Sequence, residues 1–122
     1  LATINDISKN VEPGTVVISK ANCGIPEFKD GSIVYSGTEE LMSQYVKIAM
    51  NSGAKIIGGC CGTSFDHVRA MRKAMDEHSV TSAPTLEEIE EKVGAMSEGS
   101  KSIFKGDDSK PKKQRRSRRS RA

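Results

Sequence analysis

Tryptophan is missing from this 122-residue chain, and aromatic residues make up only 4% of it. No apolar run approaches the roughly 20 residues that a membrane span requires, so we expect no membrane association. Residues 1–10 carry asparagine, aspartate and lysine where a secretory signal would have an apolar core. The three cysteines cannot all pair with one another. These absences favour a reducing cytoplasm, where clustered cysteines more often bind metal or perform chemistry than form disulfides.

Basic residues are in the minority until the C-terminal end of the chain. Residues 1–99 hold 9 Lys or Arg against 14 Asp or Glu, a net charge of −5. Residues 100–122 hold 10 against 2, a net charge of +8, and the stretch from Lys110 to Ala122 is of low complexity. We therefore predict a disordered basic tail over residues 99–122. Because this tail has no interleaved aromatic residues and no folded motif, a solvated tail is favoured over nucleic-acid binding.

Apolar periodicity divides the rest of the chain into alternating helices and strands. Two short apolar runs, one of them β-branched, predict strands buried on both faces. Glycine and proline mark the connections between the periodic segments. In chain order the predicted elements are helix 1–9, strand Thr15–Ser19, a long connection Lys20–Gly37, helix 38–51, strand Lys55–Gly58, helix 63–78, a linker Thr81–Pro84 and helix 85–96.

Individual residues are expected to begin these helices and to face their core. Thr38 is the predicted N-cap of the second helix, and Thr63 or Ser64 is the N-cap of the third. The third helix should turn Val68, Met71 and Met75 inward. The predicted buried face of the second helix holds Leu41, Tyr45, Ile48 and Ala49.

Strands that alternate with helices indicate an α/β fold with parallel pairing and right-handed crossovers. Two strands do not make a stable parallel sheet by themselves. The chain also opens on an apolar helical pattern rather than on methionine. We therefore expect it to be a fragment of a longer protein.

Cys60 and Cys61 are adjacent, and they follow the second strand in the segment Gly-Gly-Cys-Cys-Gly-Thr at residues 58–63. A strand-to-helix turn is where α/β proteins place their chemistry, and the glycines allow close approach of a ligand. A disulfide between neighbours would need strained geometry. Two thiolates on one soft metal ion are the favoured interpretation, and two small buried side chains at a strand end are the alternative.

Other polar residues near this turn have weaker claims to a role. Cys23 is expected on the same rim, as a non-ligand near the site or, alternatively, as a substitute ligand. Asn22 is expected to orient its loop by local hydrogen bonds rather than to contact substrate. His67 is more typical of a surface residue or a neighbour of the site than of a ligand.

Two segments together carry a resemblance to a known family. Residues 58–63, followed by a helix that contains His67, resemble the C-terminal signature of homocysteine S-methyltransferases. The segment Asn-Cys-Gly-Ile-Pro at residues 22–26 is similar to that family's Asn-Ala-Gly-Leu-Pro segment. The segments resemble those of bacterial betaine–homocysteine methyltransferase-like proteins and of the homocysteine-binding module of cobalamin-dependent methionine synthase. Cys23 departs from the alanine that the family commonly has.

The resemblance implies a fold, a cofactor and substrates. The family fold is a (β/α)8 TIM barrel, of which residues 1–80 would supply strands seven and eight with their helices, followed by a helical extension over 81–98. Zinc would be held by Cys60, Cys61 and a third cysteine upstream of Leu1. Homocysteine would accept a methyl group, preferably from betaine, and a homo-oligomer is left open. The residues expected near the substrate are Asn22, Cys23, Gly58 and Gly59.

A non-enzyme remains the second hypothesis. A truncated product, or a separate binding module whose basic tail contacts nucleic acid, would show the same charge pattern. The two hypotheses differ in what the gene encodes upstream, since the enzyme requires about 200 further residues of barrel if the family's usual length applies.

Overall fold

The computed structural model describes residues 1–106, which form five helices and four short strands. The predicted tail beyond residue 106 lies outside the described residues. In chain order the elements are α1 (Ala2–Asn10), β1 (Ile18–Ala21), β2 (Pro26–Lys29), β3 (Ser32–Tyr35), α2 (Glu39–Asn51), β4 (Ile56–Gly59), α3 (Phe65–Glu77), α4 (Leu86–Val93) and α5 (Glu98–Lys105).

The parallel pair predicted from the alternation of strands and helices is confirmed. β1 and β4 run parallel, with Ile18 opposite Ile56 and Ala21 opposite Gly59. The first strand lies further along the chain than the predicted Thr15–Ser19. Its pairing begins at Val17, whose carbonyl accepts from the backbone of Lys55 at 2.9 Å. α2 makes the crossover, so the ends of β1 and β4 meet at one edge.

The long connection between β1 and α2 was predicted to lack regular structure, and that prediction is wrong. β2 and β3 form an antiparallel hairpin in which Phe28 lies opposite Ile33. Asp30 and Gly31 join the strands with φ of 49° and 78°. An Asp-Gly pair in this conformation matches the twist of a two-residue hairpin. The Asp-Gly pair is a recognised hairpin signal in the sequence. It was not used in the prediction because the connection holds several other glycines.

The predicted helix starts are confirmed. The Thr38 side chain accepts a hydrogen bond from the backbone of Leu41 at 3.1 Å, and Glu39 and Glu40 occupy the first turn of α2. Acidic residues there interact favourably with the positive end of the helix dipole. Of the two candidates for α3, Ser64 is the N-cap. α2 and α3 therefore begin where local hydrogen bonding satisfies their free amide groups.

The core lies between the helices and one face of the β1–β4 sheet. Tyr45, Ile48 and Ala49 of α2 are buried as predicted, whereas Leu41 is only partly buried. In α3, Met71 is buried and Met75 is partly buried. The predicted inward orientation of Val68 is wrong, because its side chain is 51% exposed.

A buried hydrogen bond ties the first strand to the crossover helix. The hydroxyls of Ser19 and Tyr45 are partners. Burial raises the pKa of Tyr45, and the hydrogen bond to Ser19 opposes that rise. Each hydroxyl is the hydrogen-bond partner of the other, so neither polar group is left unsatisfied in the core.

Disorder was expected from residue 99, and the structure corrects this for the first part of the segment. Residues 98–105 form α5, which Ser97 caps and which Gly106 ends with φ of 69°. Glu90 of α4 accepts from the backbone of Met96 at 3.0 Å and pairs with Lys101 at 3.0 Å. These contacts fold the extension back so that α5 packs on α1. The helix was missed because its stabilising partners are remote in sequence.

The opposite face of the β1–β4 sheet is uncovered among residues 1–106. Val16, Ile18 and Ile56 are each more than half exposed there. The described sheet has two parallel strands, so a complete barrel is not shown by this part of the chain. Across the same residues, none of the helices combines the length and apolar character needed to cross a membrane.

Candidate metal centre

Cys60 and Cys61 lie directly after β4, in the turn that leads to α3. Both thiols are free and exposed, and their Sγ atoms are 3.9 Å apart. The turn lies at the carboxyl end of the parallel strands, the edge where α/β proteins hold their reactive groups. The pair is thus presented to solvent rather than packed as two small core residues, which argues against the alternative interpretation.

Backbone hydrogen bonds fix the conformation of the cysteine turn. The amide of Cys60 donates to the carbonyl of Ala21 at 2.8 Å, which continues the pairing with β1. The carbonyl of Cys60 accepts from Thr63 at 3.2 Å and closes the turn. The carbonyl of Cys61 accepts from the amide of Cys23 at 2.9 Å. Two strand ends therefore hold the thiol pair in place, and no side-chain bond is needed for this.

Cys23 does not join the thiol pair. Its side chain is fully buried, and burial raises the pKa of its thiol, so it stays protonated at neutral pH. Among residues 1–106, no three His, Cys, Asp or Glu side chains are grouped so that they could hold a metal ion. The buried sulfur of Cys23 therefore stands apart from the pair among these residues, which favours the interpretation of Cys23 as a non-ligand near the site. Cys23 contacts the cysteine turn through its backbone amide, which donates to the carbonyl of Cys61.

Two glycines next to the site, Gly37 and Gly59, have no room for a side chain. A Cβ at Gly37 would lie 2.5 Å from the Cys23 sulfur, and a Cβ at Gly59 would overlap the side chain of Thr63. Gly58 has only an ordinary contact, 3.7 Å from Lys20. Packing thus accounts for Gly59, while the predicted closeness of Gly58 and Gly59 to a substrate remains a prediction.

Asn22 lies in the loop after β1, and His67 lies in the first turn of α3. The backbone carbonyl of Asn22 accepts from the amide of Gly24 at 3.0 Å, and the expected orientation of the loop by the Asn22 side chain stays a prediction. His67 belongs to the cap of α3, where its Nδ1 accepts from the backbone of Ser64 at 3.0 Å. A ring held in this way completes a helix start and is not offered to a metal. Contact of Asn22 with a substrate stays a prediction.

Tyr35 is a residue at this site that reasoning from sequence missed. It ends β3, and its ring packs against Gly62, which has φ of 76°. Hydrogen bonding to the Cys61 side chain, then desolvation, then the charges of Cys61 and Cys60 raise the pKa of Tyr35 above its usual value. No local pattern links positions 35 and 61, and only the unpredicted hairpin brings them together.

The separation of the thiols fits a tetrahedral metal ion. Two sulfurs that are each about 2.3 Å from one zinc ion lie about 3.8 Å apart. The observed 3.9 Å needs almost no rearrangement to reach that value. Two thiolates are also the soft donors that zinc accepts. The described residues would supply two such donors, and a complete site would require others.

A comparison with known protein families gives one match to this chain. The family model described as homocysteine S-methyltransferase matches residues 1–75, which is more than half of the chain. The match runs from α1 through the hairpin and the cysteine turn and covers most of α3. This chain therefore belongs to the homocysteine S-methyltransferase family.

Proposed function

We propose that this chain contributes Cys60 and Cys61 to a zinc site at which homocysteine is methylated to methionine, with betaine as the preferred donor. The observation that carries the proposal is the exposed pair of free thiols, 3.9 Å apart at the carboxyl end of the parallel strands. Family membership supports the reaction type and homocysteine as the acceptor. The zinc ion and betaine as the donor are part of this proposal.

The residues of this chain would do two things at such a site. Cys60 and Cys61, as thiolates, would hold the metal on a turn whose backbone is fixed from both strand ends. The glycines at 58, 59 and 62 leave the rim free of side-chain bulk. A zinc ion bound there would supply an environment in which an incoming thiol loses its proton and remains nucleophilic.

Methyl transfer is balanced by simple displacement. The homocysteine sulfur forms a bond to the methyl carbon while the bond between that carbon and the donor nitrogen breaks. The nitrogen keeps the electron pair, so the donor leaves as a dimethylamino acid whose nitrogen is uncharged and can take up the proton that the thiol has lost, and no oxidant or reductant is required. In-line placement of donor and acceptor would account for several kcal/mol of the barrier reduction.

The rest of the site is proposed to lie outside this chain. We infer that residues 1–80 are the last two strand–helix units of a (β/α)8 barrel, and that the third cysteine ligand precedes Leu1. The uncovered sheet face at Val16, Ile18 and Ile56 supports this, because such a face is the kind that a barrel interior would cover. Residues that select the donor would then belong to the missing strands.

A donor screen with zinc quantification on the complete protein tests the proposal. We expect one zinc ion per active site, and methionine formed from homocysteine with betaine in preference to S-methylmethionine or methyltetrahydrofolate. Activity with a different donor would correct the donor alone. Full activity in protein from which all metal has been removed would overturn the zinc assignment.

A further inference from the structure

Positive charge is concentrated at one end of this chain, and no part of the proposed function uses it. Residues 109–122, here called the basic segment, hold 8 Lys or Arg and no Asp or Glu. Residues 1–108 hold 11 Lys or Arg and all 16 Asp or Glu. The basic segment follows the residues that the structure describes, so its charge and composition come from the sequence. A stretch this rich in one sign of charge attracts polyanions.

The structure shows from which part of the fold the chain continues toward the basic segment. Ser97, the N-cap of α5, lines one cavity with Leu1 at the start of α1. Near the other ends of the two helices, Nζ of Lys9 lies 5.9 Å from the centre of the Phe104 ring. α5 therefore runs in the same direction as α1, and Gly106 lies beside the end of α1.

That end of α1 is at the edge of the fold opposite to the thiol pair. Leu1 lines a second cavity with Asn22, which follows β1 at the rim that carries the thiols. Ser8 lies at the other end, where a Cβ at Gly53, just before β4, would be 2.7 Å from its hydroxyl. A large ligand held close to the end of α5 would therefore leave the thiol pair uncovered.

The composition of the basic segment fits a chain of phosphates. Five of its eight cations are arginine, whose guanidinium binds phosphate through paired hydrogen bonds. The segment has no aromatic side chain, which removes stacking on bases but not contact with a phosphate backbone. Lys9 and Lys105, beside the end of α5, are exposed, and within residues 1–106 neither forms an ion pair. Their charge adds to that of the segment.

An anionic membrane fits the same composition less well. Pro111 and Ala122 are the only apolar residues of the basic segment, so it offers little to the acyl region of a bilayer. Stable attachment to a membrane needs a second, apolar signal beside a basic cluster. The preceding helix α5 does not supply one, because it packs on α1. The observations therefore favour nucleic acid over lipid.

We propose that the basic segment binds the phosphate backbone of single-stranded nucleic acid, without reading its sequence, at the edge of the fold opposite to the thiol pair. This inference goes beyond the proposed function and does not rest on it, because the segment contains no residue of the candidate metal centre. Binding of this kind releases counterions and is therefore strongly weakened by salt.

Fluorescence anisotropy of a labelled oligouridylate of about 20 nucleotides, titrated with the complete protein, tests the proposal. If all eight cations engage phosphates, the logarithm of the binding constant should fall with the logarithm of salt concentration with a slope of about −5. Oligothymidylate of the same length should bind within about threefold of oligouridylate, since the backbone charge is the same. Absence of binding at about 50 mM salt, or a difference of about tenfold between the two probes, would overturn the proposal.

Two variants separate the basic segment from net charge, and circular dichroism checks that both fold alike. The first variant carries four changes in the segment, Arg115→Gln, Arg116→Gln, Arg118→Gln and Arg119→Gln. It should bind oligouridylate more than about thirtyfold more weakly at low salt, with a slope of about −3. The matched control loses four exposed lysines of the described fold through Lys20→Gln, Lys29→Gln, Lys55→Gln and Lys73→Gln. It should change the affinity by less than about threefold.

The remaining outcomes decide between partners. Equal weakening in the two variants would show that net charge alone acts, and would overturn the assignment to the basic segment. Vesicles of phosphatidylcholine with about one-third phosphatidylserine should bind more weakly than oligouridylate at about 150 mM salt, and tighter binding to the vesicles would overturn the choice of nucleic acid. Protein that holds no zinc and transfers no methyl group should bind the oligonucleotide equally well, so failure of the proposed function is seen separately.

Discussion

Cys23 and the Cys60-Cys61 pair lie at the same end of the same two strands, yet their environments are opposite. Cys23 is fully buried, whereas both members of the pair are exposed. The backbone of Cys23 nevertheless bonds to the backbone of Cys61 at 2.9 Å. Cysteines at neighbouring positions of the same sheet edge therefore differ in whether their sulfurs can react. Packing against Gly37 buries the sulfur of Cys23, whereas the turn exposes the sulfurs of Cys60 and Cys61.

Replacing cysteines at the two positions should separate metal binding from stability, with the largest effect at the pair. In the complete protein, Cys60→Ala or Cys61→Ala is expected to abolish zinc retention and methyl transfer together. Cys23→Ala, the matched control, should keep zinc and lose stability, by about 1–2 kcal/mol for a small buried side chain. Metal analysis and melting curves measure both. Normal zinc content in Cys60→Ala or Cys61→Ala would contradict the assignment of these two residues as zinc ligands.

The packing that buries Cys23 can be disrupted at Gly37. Gly37→Ala should destabilise the fold by about 3 kcal/mol, because the new methyl group overlaps both the sulfur and the backbone of Cys23. Gly99→Ala is the matched control, since nothing lies within 4 Å of that position and alanine favours the helix there. Chemical denaturation compares the two variants. Equal stabilities would show that Cys23 is not held as described.

The polar pair behind the site should be worth less than the packing around Cys23. Ser19→Ala leaves the buried Tyr45 hydroxyl unpaired and should cost about 1–2 kcal/mol. Adding Tyr45→Phe should restore part of the loss, because both hydroxyls are then gone. A double-mutant cycle by denaturation measures this coupling. Strictly additive losses would contradict the hydrogen bond.

The smallest expected effect is on the pH dependence of stability, and it comes from the buried thiol of Cys23. Burial raises the pKa of Cys23, so the folded protein holds that proton more tightly than the unfolded chain does. This stabilising contribution is complete below the unfolded value of about 8.5 and is lost as pH rises further. Cys23→Ala should therefore lessen the fall in stability between neutral pH and pH 10. Identical pH profiles would contradict the burial of the thiol.

Much of the framework could be predicted from the sequence because it depends on local signals. Thr38 caps α2 through an amide three residues away, and the periodicity of α2 put Tyr45, Ile48 and Ala49 in the core. The parallel order of β1 and β4 followed from their alternation with helices. Adjacent cysteines among glycines located the candidate site.

The rest depends on contacts between distant segments. α5 is supported by the pair of Lys101 with Glu90, and Tyr35 reaches the cysteine turn only because the hairpin folds back over it. Val68 lies with Met71 in a groove beside β4, yet it is 51% exposed, because nothing among the described residues covers it there, and helical spacing does not show this. The hairpin itself was not predicted, because its Asp-Gly turn is one of several glycine-containing positions in the same connection.

The most direct test of the account is anomalous X-ray scattering at the zinc absorption edge, measured on crystals of the complete protein grown with zinc. We predict a peak about 2.3 Å from the Sγ atoms of both Cys60 and Cys61, with Cys23 remote from it. A map without a peak beside the pair, or a zinc ion bound elsewhere on the rim, would contradict the assignment.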